Sequence, residues 1–397
     1  MSRRITNFAK MSAVVICAVL AIILTGSISV KAEPTEFVRV STQKELEAAM
    51  NDPDVLHIIF KTDAYINVTI NPVEAAKEKS LEIRAKNVNF TNKAVFEYIR
   101  IYYVNSFTEK TSGNRLYLEE LTYNSGIVVA KNQQVEYIRI AGTDFKEPLY
   151  TLRKGAKVKE VELEYDYPDF SESEYNKSKR QLTLDVENRW GFKQVFNITL
   201  DKNGRMTRMF SESDNAEYAF EYNFTYDKNG NIIKKAGCDY ENGEFTTEYT
   251  YNVNLLEKKV TEGTNSEVTV YEYDKKGRLI RLDSQCETFR DGKMIDESYI
   301  DEYKYDKKGR VVYEKTTYPY STDVHEITYT FNSKGFHTKI VTDDYNGLYI
   351  NILKFKYNKA GDLIKETDYN ADGTVRRVLK IKWNELGESI DSSEKFY

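Results

Sequence analysis

Histidines are the side chains that most readily do acid–base or metal chemistry near neutral pH, and this 397-residue chain has three, at 57, 325 and 337. His57 lies inside an alternating apolar phrase, so we expect it to pack within a strand or at its edge. His325 and His337 can lie on opposite strands of one hairpin, but no third ligand accompanies them, as a zinc site requires. No sequence motif of a metalloprotease, a serine hydrolase or a phosphate-binding loop occurs. We therefore predict no metal, no cofactor and no catalytic residue set.

Carboxylates are abundant, and Asp343 and Asp344 are neighbours. A glycosidase needs two carboxyl groups about 5–10 Å apart with different pKa values, and no sequence pattern predicts such a pair here. Solvated surface acids are the simpler interpretation. A polysaccharide-degrading enzyme therefore stays an alternative, tested by the release of sugar ends with and without calcium.

Three aromatic residues near predicted loops are candidates for binding. They are Trp190, and Tyr318 with Tyr320 on either side of Pro319. An exposed aromatic ring can stack on a sugar ring while a tyrosine hydroxyl or indole N–H stays hydrated. The alternative is that these rings cap the sheet or fill a domain interface.

The charge balance excludes two classes of partner. The chain has 57 basic and 62 acidic residues, and its formal net charge is −5. Nucleic-acid binding needs a concentrated positive face, and anionic membranes attract basic segments. We therefore expect neither a nucleic acid nor a membrane surface as partner.

Residues 1–32 predict a signal peptide. A basic start precedes an almost wholly apolar run from Met11 to Leu24, and small residues follow at Val30 and Ala32. The run is short for a membrane span, which needs about 20 residues. We expect cleavage after Ala32 and a secreted or cell-surface protein, with an uncleaved N-terminal anchor as the alternative. Cleavage removes four basic residues and no acid, which changes the net charge from −5 to −9.

Residues 33–165 predict a β-solenoid-like domain that begins with a helix. Thr42–Glu45 is a capping box, and an apolar helical face follows, so we expect a helix over 43–50. Short alternating apolar phrases come next, and 17 to 25 residues separate their second members: Ile58, Ile83, Ile101, Leu118, Ile140 and Leu163. These steps fit the stacked coils of a parallel β-solenoid whose end the helix plugs.

This segment resembles the start of pectate-lyase-like right-handed β-helix proteins. The resemblance lies in the Thr42–Met50 helix, then Leu56–Phe60, then Leu81–Ile83. A small leucine-rich-repeat-like domain is the rival, although no Asn recurs at the strand-turn position of such repeats. The polar residues 166–190 are interpreted as a join, and 191–397 as a second domain.

Two kinds of turn alternate through the second domain. The first kind is Asp or Asn, two residues, then Gly, and its glycines are Gly204, Gly230, Gly277, Gly309, Gly335, Gly361 and Gly387. The second kind is Asn-Gly or Asp-Gly, at Asn242-Gly243, Asp291-Gly292, Asn346-Gly347 and Asp372-Gly373. The last five turns are 12 or 14 residues apart, which leaves a strand of about eight residues between turns. The pattern predicts a long antiparallel sheet of hairpins.

The turn residues have a structural role in this prediction. Glycine reaches positive φ without a clash, and a preceding Asp or Asn side chain bonds the backbone two residues on. We assign this role to Asp227, Gly230, Asp274, Gly277, Asp306, Gly309, Gly335 and Gly361. Aromatic residues two apart precede each turn, as Tyr271 and Tyr273 do, and form columns on one face. A sheet of this size is expected to curl with those columns inside.

The turn phrases resemble the YD repeats of the Rhs family. The match is carried by Tyr226–Ile233, Tyr273–Ile280 and Tyr305–Val311, and it covers about 190–392. The resemblance implies strand-turn-strand units that coil into a β-shell. It also implies export, a cell-surface or toxin-delivery setting, and carbohydrate binding. This chain has too few units for a large closed shell.

These features together predict an all-β, exported, non-enzymatic binding protein. Its expected partner is a glycan or cell-wall polymer at the bacterial surface. The alternative is a structural or self-associating spacer, since open sheet edges can pair between copies. Cys238 and Cys286 lie about four strands, or about 19 Å, apart, too far for a disulfide, so both thiols are expected to be free.

Overall fold

The computed structural model describes residues 35–119, 126–142, 148, 150–165, 170–187, 193–240, 243–290, 292–385 and 387–397. The predicted signal peptide and Trp190 lie outside these residues. The chain is mostly β-strand in the described part, as predicted, and a parallel N-terminal β-solenoid precedes a long antiparallel sheet.

Twelve strands of the described ranges build the solenoid. They are β1 (Thr35–Val40), β2 (Val55–Lys61), β3 (Ile66–Ile70), β4 (Ser80–Asn92), β5 (Tyr98–Glu109), β6 (Arg115–Leu118), β7 (Gly126–Val129), β8 (Gln134–Val135), β9 (Tyr137–Gly142), β10 (Thr151–Leu152), β11 (Lys157–Val158) and β12 (Val161–Tyr165). Strands β2, β4, β5, β6, β9 and β12 stack in parallel in that order. Strands β4 and β5 are long enough to continue onto a second face, where they pair with β3 and β7.

The apolar phrases of the sequence form two buried columns along the solenoid. One contains Ile58, Leu81, Ile99, Leu116, Ile138 and Val161, and the other contains Phe60, Ile83, Ile101, Leu118, Ile140 and Leu163. Phe60, and not the predicted Ile58, therefore stacks on Ile83. The first apolar phrase has three alternating residues, and the first of them, Leu56, is 40% exposed. The second and third residues therefore pack in the core, and the register of this strand differs from the predicted one by two residues.

The predicted helix is confirmed as α1 (Gln43–Asn51). The Thr42 hydroxyl accepts from the Glu45 N–H at 3.2 Å, and the Glu45 carboxylate accepts from the Thr42 N–H at 3.1 Å. This capping box satisfies N–H groups that the helix itself leaves unpaired. Leu46 and Met50 are buried, and the helix packs on β2 and β3 at the start of the solenoid.

In the part of the chain that the structure describes, nineteen strands form the antiparallel sheet in sequence order. They are β13 (Phe170–Asn176), β14 (Gln181–Glu187), β15 (Lys193–Leu200), β16 (Met206–Ser213), β17 (Phe220–Tyr226), β18 (Ile232–Asp239), β19 (Gly243–Asn252), β20 (Leu255–Glu262), β21 (Ser266–Tyr273), β22 (Leu279–Arg290), β23 (Lys293–Asp296), β24 (Tyr299–Tyr305), β25 (Val311–Thr317), β26 (Val324–Phe331), β27 (His337–Asp344), β28 (Tyr349–Tyr357), β29 (Leu363–Tyr369), β30 (Val375–Trp383) and β31 (Ser389–Phe396). Its first two strands lie within residues 166–190, the predicted join, and contact β12.

The two faces of the sheet differ as the aromatic spacing predicts. On β21, Tyr271 and Tyr273 are half-buried while Glu272 between them is exposed. A one-residue register shift precedes Tyr273, and similar shifts precede Tyr305 and Tyr357. Bulges of this kind increase local twist, which favours curling of a long sheet.

The turns of the first kind all lie at one end of the strands, and this side of the sheet is here called the inner edge. The described glycines of the second kind lie at the opposite ends of the strands, here called the outer edge: Gly243, Gly292, Gly347 and Gly373. The inner edge meets the solenoid at both of its ends. A Cβ on Gly204 would lie 3.0 Å from the Val158 carbonyl near the last coil, and one on Gly387 would clash with the Arg39 guanidinium on β1. The sheet therefore returns along the solenoid from its last coil to its first.

Candidate binding sites

The predicted turn residues form one repeated hydrogen-bond pattern. The Asp274 carboxylate accepts from the N–H groups of Lys276 (2.8 Å) and Arg278 (3.0 Å), and the Gly277 N–H donates to the Asp274 carbonyl (2.9 Å). The Arg278 side chain also donates to this carboxylate, and together these bonds lower the pKa of Asp274 to about 2. Asp227 and Asp306 accept in the same way. These carboxylates stabilise the turns, and their oxygens already accept hydrogen bonds within the turn.

In several units the last aromatic residue donates a hydrogen bond to the preceding unit. The Tyr305 hydroxyl donates to the Leu279 carbonyl at 2.6 Å, and its ring lies 4.5 Å from the Arg278 guanidinium. The Tyr273 hydroxyl donates to the Leu256 carbonyl at 2.9 Å, and the Trp383 N–H donates to the Leu363 carbonyl at 2.7 Å. The aromatic columns are therefore part of the scaffold.

Two of the three predicted binding residues come together on the outer edge. Tyr318 and Tyr320 have ring centroids 5.8 Å apart, and Tyr320 is 53% exposed. The next outer turn adds Tyr345 and Tyr349, also with ring centroids 5.8 Å apart, at 53% and 62% exposure. Burial and then the neighbouring Tyr320 raise the pKa of Tyr318, and Tyr345 contributes as well. We call these four residues the outer tyrosine cluster.

The two turns that carry this cluster are held together. The Asn346 side-chain amide donates to the Thr322 carbonyl at 2.8 Å, and the Gly347 N–H donates to the Asp343 carboxylate at 2.6 Å. Tyr345 has φ 55°, a left-handed conformation that is rare for a large side chain. A strained residue that its surroundings hold in place is a feature of ligand-binding turns. Sequence reasoning missed Tyr345 and Tyr349, although the Asn-Gly turn between them was the available signal.

The histidines are separated. His325 lies opposite Asp344 and bonds to its carboxylate, whereas His337 lies opposite Phe331 near the other end of the same hairpin. Six residues of strand, about 20 Å, therefore separate the two, and they form no metal pair. His57 bonds to the Ser80 hydroxyl and stacks on Phe37, as expected for a packed strand residue.

His337 sits in an aromatic group between solenoid and sheet. Its ring centroid lies 4.6 Å from that of Tyr65 and 4.4 Å from that of Phe331. Burial, with the charges of Arg310 and Lys86, lowers the pKa of His337 to about 4, so the ring is neutral near pH 7. The Tyr65 N–H donates to the Gly335 carbonyl at 2.9 Å beside this group. The group is an attachment point of the inner edge.

A cleft of about 720 Å³ opens next to this attachment. Its solenoid wall contains Asn67, Asn89 and Asn105, and its sheet wall contains Tyr305 and Lys308. The volume is within the range of about 300–1,000 Å³ that is typical of ligand sites. No residue of this cleft was predicted as a binding residue, because its two walls come from distant parts of the chain.

The described part of the chain contains no group of three or more His, Cys, Asp or Glu side chains arranged to hold a metal ion. None of the helices in the described ranges has the length and apolar character required to cross a membrane. Cys238 and Cys286 are both free thiols.

Comparison with known proteins returns solved structures only. No protein-family model matches the chain, and no curated protein matches it. A porin-like protein from Bacteroides uniformis is 10% identical, with 57% of this chain and 94% of that chain covered and a TM-score of 0.24. A porin-like protein from Bacteroides vulgatus is 10% identical, with coverages of 52% and 98% and a TM-score of 0.26.

Proposed function

We propose that this chain is an exported, non-enzymatic binding protein that recognises a glycan or cell-wall polymer at the bacterial surface. The observation that carries the proposal is the outer tyrosine cluster. Its four tyrosines lie on two turns that a hydrogen bond links, and Tyr320, Tyr345 and Tyr349 are each more than half exposed. Rigid aromatic rings lose little conformational entropy on binding, and their hydroxyls can hydrogen-bond polar groups.

Two features of the sequence support the same proposal. The N-terminal 32 residues have the pattern of a signal peptide, which supports export of the mature chain. The repeated turns resemble YD repeats, a family with carbohydrate-binding members. In the structure, the tyrosines of those repeats hold neighbouring units together, so ligand contact falls to the outer-edge tyrosines.

The test is a glycan array probed with the chain from Glu33 onward, followed by titration of the best ligand. Replacing Tyr320 and Tyr345 together by alanine should weaken binding of a neutral glycan by about tenfold or more, as loss of two central aromatic contacts does. Tyr240→Ala is the control, since this tyrosine is 65% exposed on another outer turn. An array without any bound glycan contradicts the proposal, as does equal binding by both variants.

Self-association is a second candidate because one sheet edge is open in the structure. Every residue of β31 is exposed, and Ile390 and Phe396 are 63% and 68% exposed. An exposed edge strand with apolar side chains is a template for pairing with another chain. Light scattering at several concentrations tests this: a constant mass equal to one chain excludes it, and Ile390→Lys should abolish any growth in mass.

A further inference from the structure

The cleft exists because the inner edge of the antiparallel sheet is longer than the solenoid to which it is attached. Between Gly204 and Gly387 the inner edge crosses about fourteen strand spacings, or about 67 Å, whereas the solenoid between β12 and β1 covers about six, or about 29 Å. Both ends of the edge are attached, so its middle must bow outward. The space around the turn glycines supports this. A Cβ on Gly230 would clash with the Leu152 carbonyl, whereas one on Gly277 or Gly309 would have no solenoid atom within 4 Å.

The solenoid wall presents ordered amides. The Asn89 amide donates to the Asn67 oxygen at 2.9 Å, and the Asn105 amide donates to the Asn89 oxygen at 2.5 Å. This chain of bonds fixes the three side chains on successive coils. The amide N–H groups of Asn67, at its end, have no partner among the described residues. The wall therefore offers oriented hydrogen-bond donors and acceptors at the spacing of the coils.

The sheet wall presents cations. Arg278, Lys308 and Arg310 line the cleft, and none of its described lining residues is a carboxylate. Asp274 and Asp306 pair with Arg278 and Arg310 at 2.5 and 2.6 Å behind the wall, so those charges are balanced. Lys308 is exposed, donates to the Ser333 carbonyl at 2.9 Å and has no ion-pair partner in the described ranges. The net charge of the cleft is positive.

We propose that this cleft binds a carboxylated polysaccharide, with its sugar hydroxyls on the asparagine wall and a carboxylate on Lys308. This rests on the proposed glycan-binding function and adds a second, anionic class of ligand at a separate site. Amide side chains match hydroxyls, which both donate and accept, and an ammonium group forms strong charge-assisted bonds with a carboxylate. The half-buried ring of Tyr305 also lines the cleft on the sheet side, next to the Arg278 guanidinium.

The repeats supply a matched control. Lys308 precedes Gly309 in the turn that begins at Asp306, and Lys276 precedes Gly277 in the equivalent turn that begins at Asp274. Both lysines are exposed, but only Lys308 lines the cleft. Lys276→Ala therefore removes the same charge from the same kind of turn outside the proposed site.

The experiment titrates the chain from Glu33 onward with polygalacturonate and with its fully methyl-esterified form. We expect Lys308→Ala to weaken polygalacturonate binding by about tenfold, Lys276→Ala to leave it unchanged, and Asn105→Asp, which adds a carboxylate to the wall, to weaken it further. The esterified polymer should bind at least tenfold more weakly than the acid. Equal binding of both polymers, or equal effects of the two lysine variants, overturns the proposal.

Two further arms separate the possible failures. Tighter binding of inorganic polyphosphate than of polygalacturonate overturns the choice of a carboxylated ligand. The Tyr320 and Tyr345 double variant should retain polygalacturonate binding, because those residues lie on the outer edge. If neutral glycans bind and polygalacturonate does not, this inference fails alone; if no glycan of either kind binds, the proposed function fails with it.

Discussion

Arg39 and Asp362, which are 323 residues apart in the sequence, form a buried two-point ion pair between the solenoid and the antiparallel sheet. One bond from the Arg39 guanidinium to the Asp362 carboxylate is 3.0 Å, and the exposed fractions of the two side chains are 9% and 4%. Burial favours the neutral acid, but the bonds from Arg39 and Asn358 outweigh it and lower the pKa of Asp362. The pair fastens the last repeats to β1.

Arg39→Ala should destabilise the chain by about 3–5 kcal/mol, because it leaves the Asp362 charge buried without its partner. Arg208→Ala, which breaks a half-exposed pair with Glu221, should cost less than about 1 kcal/mol. Urea unfolding of the two variants and the wild type measures both values. Equal costs would show that the buried pair does not hold the two parts together.

Glu109 should make stability depend on pH. It is fully buried among Asn92, Asn114 and the Thr111 N–H, and desolvation raises its pKa to about 7 despite these bonds. A raised folded-state pKa contributes stability below the unfolded value of about 4.5, and this is lost as pH rises to about 7. Relative to Glu109→Gln, the wild type should lose up to about 3 kcal/mol across that window.

Urea unfolding at several pH values between 4 and 8 tests this expectation. A constant offset between wild type and Glu109→Gln reflects the different hydrogen bonding of the amide and does not bear on the titration. Parallel curves across the window would contradict the raised pKa.

The hydroxyl of the repeated tyrosine should stabilise the sheet where it bonds the preceding unit. Tyr273→Phe removes the bond to the Leu256 carbonyl and should cost about 1 kcal/mol. Tyr271→Phe, two residues earlier on the same face, removes a hydroxyl without a hydrogen-bond partner in the described ranges and should be nearly neutral. Thermal and urea unfolding compare the variants. A smaller cost for Tyr273→Phe than for Tyr271→Phe would refute the role of the hydroxyl.

Gly335 should tolerate a side chain less well than a glycine on the outer edge. Gly335 has φ 98°, and a Cβ there would lie 2.9 Å from the Tyr65 carbonyl. Gly373 has φ 84° with nothing within 4 Å of such a Cβ. Gly373→Ala should lower the free energy of unfolding by about 1–2 kcal/mol, because alanine is unfavourable in this left-handed conformation. Gly335→Ala should cost about 1–3 kcal/mol more, since the added atom also pushes on the solenoid. Urea unfolding measures the difference, and equal costs would contradict the attachment.

The sequence alone predicted the features that local chemistry controls. The Thr42–Glu45 capping box starts a helix, and each Asp-x-x-Gly phrase closes a turn, because their hydrogen-bond partners lie within a few residues. Period-two alternation placed Tyr271 and Tyr273 on one face, because the pleat of a strand imposes it. The register of the first coil was wrong by two residues, because Leu56, Ile58 and Phe60 satisfy the same pattern in either register.

Only the tertiary structure decided which distant surfaces meet. The return of the sheet along the solenoid brings Asp362 to Arg39 and Gly335 to Tyr65, and it leaves the cleft between Asn89 and Lys308. No local pattern encodes these contacts, because they depend on the accumulated twist and length of nineteen strands fixed at two ends of a much shorter solenoid. The repeats are therefore predictable from the sequence, whereas the surfaces that they form with the solenoid are not.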